Sequence, residues 1–209
     1  MVNYLLIIVL SQQLLASESK GEVLFPVDTL AATKSLTIEK KIILSSIGKW
    51  QRFSYLKKKL NCQFYPSCSN YFAHSIVDNS TYIGVIKGLD RILRCNPYAM
   101  DYHIRKTYSP HFHKDGRLVD KINPQYNPVA QKSSLLAGIL SLIPGLGKVY
   151  IGRPMDGILS GSSIMLLSKI TYTQYTKGNK LGMTIIGPAV FTLWLSDIYG
   201  AYRSAKLAI

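Results

Sequence analysis

Three cysteines, Cys62, Cys68 and Cys95, are the residues best equipped for chemistry, as thiolate nucleophiles, metal ligands or disulfide partners. His74 would complete a four-ligand set. The five residues between Cys62 and Cys68 exceed the two to four usual for zinc ligand pairs, so the spacing argues against a metal. Two readings stay open: a disulfide in an exported domain, with one thiol left over, or small buried hydrophobes in a reducing compartment. His111 and His113 flank Phe112 without a third ligand nearby and read as part of a solvated loop. No Gly-rich phosphate loop, nucleophile elbow or pair of inward carboxylates accompanies them. The expectation is therefore a non-enzymatic protein without cofactor or metal.

The elements that position these residues lie in a chain that is both apolar and basic. Its 209 residues are 47% hydrophobic and 17% charged, with 25 Lys and Arg against 11 Asp and Glu. Soluble domains carry roughly 25% charged residues, so the composition excludes an ordinary soluble protein as well as a disordered tail. A membrane surface is the partner this suggests, with nucleic acid as the rival. Charge and apolarity are segregated: residues 18–132 hold 18 basic and 9 acidic side chains, whereas residues 133–209 hold 7 and 2. No nucleic-acid reader motif accompanies the basic stretch, and nucleic acid is not expected as a partner.

Residues 1–17 have the apolar run and small-residue end of a secretory signal but lack its basic start, and read as a signal peptide or an N-terminal anchor. Residues 18–37 read as a linker. From Ile38 to Leu60 the spacing predicts a helix with Ile38, Ile42, Trp50, Phe53, Leu56 and Leu60 on one side and Lys40, Lys41, Arg52, Lys58 and Lys59 elsewhere on the wheel. Either it lies among anionic headgroups or it packs on its own domain with a solvated basic face. Pro66, Ser67, Ser69 and Asn70 mark a turn opening a short helix over 71–77. Tyr82 to Arg94 predicts a helix with Tyr82, Val85, Ile86, Leu89, Ile92 and Leu93 facing the core and Lys87, Arg91 and Arg94 forming an outer stripe.

Residues 111–132 read as a second linker. Beyond them, residues 135–147 are uncharged but too short to cross a bilayer and broken by Pro144, which predicts a re-entrant or interfacial segment. Residues 155–176 and 181–203 are each long enough to cross, and the short polar turn between them predicts a transmembrane hairpin. Lys169 and Asp197 lie too far apart along it to pair, so Arg153 is the expected partner of Asp197.

The stretch Cys62-Gln-Phe64-Tyr-Pro66-Ser67-Cys68-Ser69-Asn-Tyr71, followed by Gly84, Lys87, Gly88 and Arg91-Ile-Leu-Arg94-Cys95-Asn-Pro97, resembles the YidD family of membrane protein insertion efficiency factors. The resemblance spans residues 42–101. It implies a small membrane-associated helical protein that assists a YidC-type insertase with nascent membrane proteins. Where that family continues from Arg-Cys-His-Pro through two glycines, this chain has Asn96 and Pro97 and then Tyr98, Ala99, Met100 and Asp101. The second half, with Pro144, Gly145, Gly147, Tyr150, Gly152 and Arg153 ahead of the hydrophobic runs and Asp197 near the end, is similar to small two-span membrane domains with a Pro-Gly-x-Gly-x-x-Tyr-x-Gly motif.

The expected architecture is thus all-α: a basic, YidD-like helical domain over 38–110, then a membrane domain over 133–209 in the cell membrane. Lys40, Lys41, Lys57, Lys58, Lys59, Lys87, Arg91 and Arg94 are the expected contacts to anionic phospholipids or an acidic partner. Phe64, Pro66, Cys68, Tyr71 and Cys95 are expected to frame the helices. The competing class is an exported lytic or thiol protein acting on membranes.

Overall fold

The computed structural model describes residues 26–33, 35–55, 62–106, 112–122 and 132–207. Residues 1–17, Lys57, Lys58, Lys59 and His111 lie outside them. The chain divides into two compact units, Met1–Pro124 and Gln125–Ile209. Both are predominantly helical.

The first unit contains α1 (Pro26–Thr33), α2 (Ile38–Tyr55), β1 (Phe64–Tyr65), α3 (Cys68–Asp78), α4 (Thr81–Leu93), α5 (Ala99–Lys106) and β2 (Leu118–Val119). Part of the stretch read as the first linker is helical, because Val27 is buried against Leu44 and Ile47 of α2 and Ala73, Ile76 and Val77 of α3. Part of the second linker pairs in parallel with β1, Phe64 opposite Leu118 and Tyr65 opposite Val119. A second small core forms around Phe64, Ala99 and Leu118.

Helix α2 packs on its own unit through Leu44, Ile47, Gln51 and Ser54, which recur at helical spacing and are buried. Ile38, Ile42, Trp50 and Phe53, the stripe expected from the sequence, point outward, and Ile38 is 77% exposed. Helix α4 is rotated from its expected orientation, although Val85 still packs against the core of Val27, Leu44 and Ile76. Its inner face is built from Gly84, Gly88, Asp90 and Arg91. Tyr82, Ile83 and Ile92 are exposed, Tyr82 by 84%. Close packing of α3 on α4 is the reason: a Cβ at Gly84 would lie 2.6 Å from the Ser75 carbonyl oxygen, so only glycine lets the two backbones approach.

The second unit contains α6 (Ser134–Leu140), α7 (Leu146–Tyr150), α8 (Pro154–Thr176) and α9 (Lys180–Lys206). Ser133 caps α6 by accepting a hydrogen bond from the Leu136 N–H, and Asn179 caps α9 by accepting one from the Gly182 N–H. Pro144 and Gly145 interrupt the apolar stretch between α6 and α7 as expected, with Gly145 in the left-handed region at φ 85°. Among the described residues, α9 is the one helix both long and apolar enough to cross a membrane. Its 27 residues extend about 40 Å against a hydrocarbon core of about 30 Å. The expectation of two spans thus reduces to one, since α8 intersperses Ser160, Ser162, Ser163, Ser168, Thr171, Thr173 and Gln174 among its apolar residues.

Candidate functional site

The motif residues of the first unit converge where α3, α4 and the paired strands meet. The cis Tyr65–Pro66 bond and Ser67, whose hydroxyl accepts from the Asn70 N–H, lead from β1 into α3. Gln51 of α2, fully buried, donates to Ser69 Oγ (3.1 Å) and Asn70 Oδ1 (2.7 Å) and so fixes α2 against the start of α3. Tyr71 is buried, Gly88 packs against the Phe72 ring, and Pro97 is exposed.

Arg91 and Arg94 do not form an outer stripe. Both are buried, Arg91 completely. The Arg91 guanidinium lies 3.5 Å from the centre of the Phe64 ring, donates to the Pro66 carbonyl at 3.3 Å, and places Nε 3.2 Å from Asp120 Oδ2. Arg94 pairs with Asp90 at 3.0 Å and with the same Asp120 oxygen at 2.7 Å. Two guanidinium and two carboxylate charges cancel inside the unit, which is what allows them to be buried. Burial works against the Arg94 charge, but Asp120 and then Asp90 outweigh it and hold the guanidinium well above its usual pKa.

Among the described residues, two further basic candidates also have partners. Lys40 donates to the carbonyls of Val77 (3.4 Å) and Asn79 (2.7 Å), and Lys87 donates to Asn79 Oδ1 (2.8 Å). Both secure the C-terminal end of α3, where unpaired carbonyls and the helix dipole favour a cation. Lys41 is exposed, as is Lys49, which the sequence reading did not single out.

Three sulfurs that are far apart in sequence come together beside this ionic core. Cys62 precedes β1, Cys68 opens α3, and Cys95 follows α4, yet their Sγ atoms lie within 4.8 Å of one another. His74 is not part of the group. Cys62 and Cys68 sulfurs are 3.1 Å apart as free thiols, and the Cys68 N–H donates to Cys62 Sγ at 3.2 Å. Hydrogen bonds from Cys68 and Cys95, and then the nearby Arg91 charge, pull the Cys62 thiol well below its ordinary pKa despite burial. Its partners move the other way: bonding to Cys62, with burial, raises Cys68 strongly and pushes Cys95 up to about 12.

A smaller ionic cluster lies beside β1. Asp115 bridges Arg117 (2.6 Å) and His113 (2.9 Å), and the His113 ring stacks on Tyr65 with 3.8 Å between centres. The bond from Arg117 is the chief reason that the Asp115 carboxyl is held well below the usual carboxylate range.

In the second unit the motif shapes a tight crossing. Lys148 pairs with Asp197 at 2.9 Å, both buried, and the other Asp197 oxygen accepts the Gly145 N–H at 2.8 Å. Arg153, the expected partner of Asp197, instead pairs with Asp156 at 2.7 Å. The difference follows from α7: it carries Lys148 beneath the turn that α9 contacts, whereas Arg153 immediately precedes α8 and reaches its first turn. Gly147 is buried, Gly152 has φ 85°, and the Tyr150 carbonyl accepts from Lys132.

Asp90 and Asp120 are the site residues that sequence reasoning missed. Asp90 had a signal, its i,i+4 spacing to Arg94. Asp120 had none, because it arrives through the pairing of β1 with β2.

The fold is thus a helical domain framed by buried ion pairs, on a chain with one described helix that is long and apolar enough to cross a bilayer. The chain belongs to the YidD family: the model described as "Putative membrane protein insertion efficiency factor" matches residues 39–103. Proteins of the same description are similar to it. That of Thermotoga maritima is 41% identical over 60 residues, covering 29% of this chain and 74% of its own length. That of Aquifex aeolicus is 36% identical over 66 residues, covering 30% of this chain and 97% of its own. A Staphylococcus aureus protein is 40% identical over 58 residues, covering 28% and 68%. No solved structure matches the chain.

Proposed function

We propose that this protein is a non-enzymatic membrane protein insertion factor. In this reading its first unit rests on the cell membrane beside a YidC-type insertase, and α9 anchors the chain. The observation that carries it is the orientation of α4: its Gly84, Gly88 and Arg91 face is buried, while Tyr82, Ile83 and Ile92 are exposed. An outward apolar face suits lipid or an apolar segment of a nascent protein better than water. On α2, Ile38, Ile42, Trp50 and Phe53 offer a similar stripe, and the exposed Lys41 and Lys49 accompany it. Each such lysine attracts anionic headgroups by about 1 kcal/mol near the surface. Lys57, Lys58 and Lys59 extend the basic segment in sequence. The rival reading, an exported lytic or thiol protein, draws no support from the family relationship.

Photo-crosslinking tests the proposal. A benzophenone amino acid placed at Tyr82 in the full-length chain, during synthesis of a multispanning membrane protein in vesicles, is expected to form adducts with the insertase and the nascent chain. Adducts with lipid alone, at Tyr82 and equally at Phe53, would refute the insertion role.

A further inference from the structure

The mutual approach of three thiols plays no part in the proposed insertion role. Cysteines serving only as small hydrophobes have no reason to direct their sulfurs at one another. Here three elements, the segment before β1, the start of α3 and the end of α4, each deliver one sulfur to a common point. The cluster lies at the edge of the Phe64, Ala99 and Leu118 core, and all three residues are half-buried.

Distances separate the chemical options. A disulfide requires about 2.05 Å between sulfurs, so Cys62 and Cys68 would have to close from 3.1 Å, and Cys95 would be left without a role. Tetrahedral zinc with bonds of about 2.3 Å places its sulfurs about 3.8 Å apart. That value lies between the 3.1 Å of the closest pair and the 4.8 Å limit of the trio, and small side-chain rotations reach it. The Cys68 N–H already donates to Cys62 Sγ at 3.2 Å, an N–H···S contact that holds that sulfur in place and suits a thiolate. Gln63 donates to the Asn96 carbonyl at 2.6 Å and so fixes the residue that follows Cys95. Sulfur donors select thiophilic cations over calcium or magnesium.

We propose that Cys62, Cys68 and Cys95 bind one zinc ion through three thiolate sulfurs, with water in the fourth position. Thiols that ligate release their protons to solvent. Three thiolates and Zn2+ leave one net negative charge, with the Arg91 guanidinium near enough to Cys62 to act on it electrostatically. The ion ties the start of α3 to the end of α4 and to the segment entering β1.

Cobalt serves as the probe. The full-length chain, purified in detergent, reduced and stripped with chelator under argon, is titrated with Co2+. One equivalent is expected to produce a thiolate-to-cobalt charge-transfer band and the intense visible bands of tetrahedral cobalt, and one equivalent of Zn2+ should erase both. Cys95→Ser and Cys68→Ser should each weaken cobalt binding by about tenfold or more. In the unaltered chain, which avoids any folding defect of the variants, zinc should slow maleimide labelling of all three cysteines. Octahedral cobalt without thiolate bands, bands undiminished in Cys95→Ser, or labelling indifferent to zinc would each overturn the site.

Discussion

Arg91 stacks on Phe64, its guanidinium carbon 3.5 Å from the ring centre, and through this contact α4 is fastened to β1. The ring covers one face of the guanidinium while Asp120 meets its edge at 3.2 Å and the Pro66 carbonyl accepts from Nη2. A planar cation fits between an aromatic face and a carboxylate in a way that an ammonium does not.

Arg91→Met leaves Asp120 with one guanidinium partner, and Arg94→Gln leaves Asp90 buried without its cation. Removing one member of a buried ion pair typically costs about 3–5 kcal/mol. Each variant should therefore unfold at markedly lower denaturant, and Arg91→Lys should recover only part of the loss. Denaturation followed by circular dichroism measures both, and a change below about 1 kcal/mol in Arg94→Gln would contradict the buried network.

The orientation of α4 predicts opposite responses at nearby positions. Tyr82→Ser, at a position the periodicity assigns to the core but which is exposed, should alter stability by no more than about 0.5 kcal/mol. Gly84→Val should disrupt α3–α4 packing, since the added carbon meets backbone at 2.6 Å and overpacking costs about 1–3 kcal/mol or more. Thermal midpoints of the two variants decide between this orientation and the expected one.

In the second unit, Lys148→Met should destabilise strongly, because Asp197 stays buried and loses its cation while keeping the Gly145 N–H. Arg153→Gln should leave the Lys148–Asp197 pair intact and act instead through Asp156. Additivity of the two in a double variant, read by protease resistance of the reconstituted chain, checks that the pairs are separate.

Asp115 responds to pH with a definite sign. Its folded pKa is depressed, so the stability it contributes is present above its ordinary value of 3.8 and is lost only as pH falls through the lower folded value. The stability difference between the unaltered chain and Asp115→Asn should hold steady from neutral pH down to about pH 5 and shrink below that, in urea titrations at stepped pH.

The positions of several helices were legible in the sequence, because periodicity and caps are local, whereas Pro26–Thr33 fell in a stretch read as a linker and Ala99–Lys106 was not predicted. Ile38 starts a helix, Thr81 to Leu93 is another, and Pro144 breaks the apolar stretch as expected. The motif from Cys62 to Tyr71 also identified the family, since its unusual residue types recur at set intervals. Periodicity does not say which side of an amphipathic helix meets the interior. For α4 the apolar stripe predicts the core face, whereas the close backbone approach at Gly84 and the distant Asp120 draw the glycine and arginine face inward and leave Tyr82 and Ile92 exposed.

Sequence alone thus determined where several of the helices lie, the segregation of charge from apolar runs, and the family, all properties of neighbouring residues. Tertiary structure alone decided the partners: Arg91 with Phe64 and Asp120, Lys148 with Asp197, and three thiols at one point. Those contacts join residues up to dozens of positions apart. They depend on chain closure and on balancing buried charge, which no local pattern records.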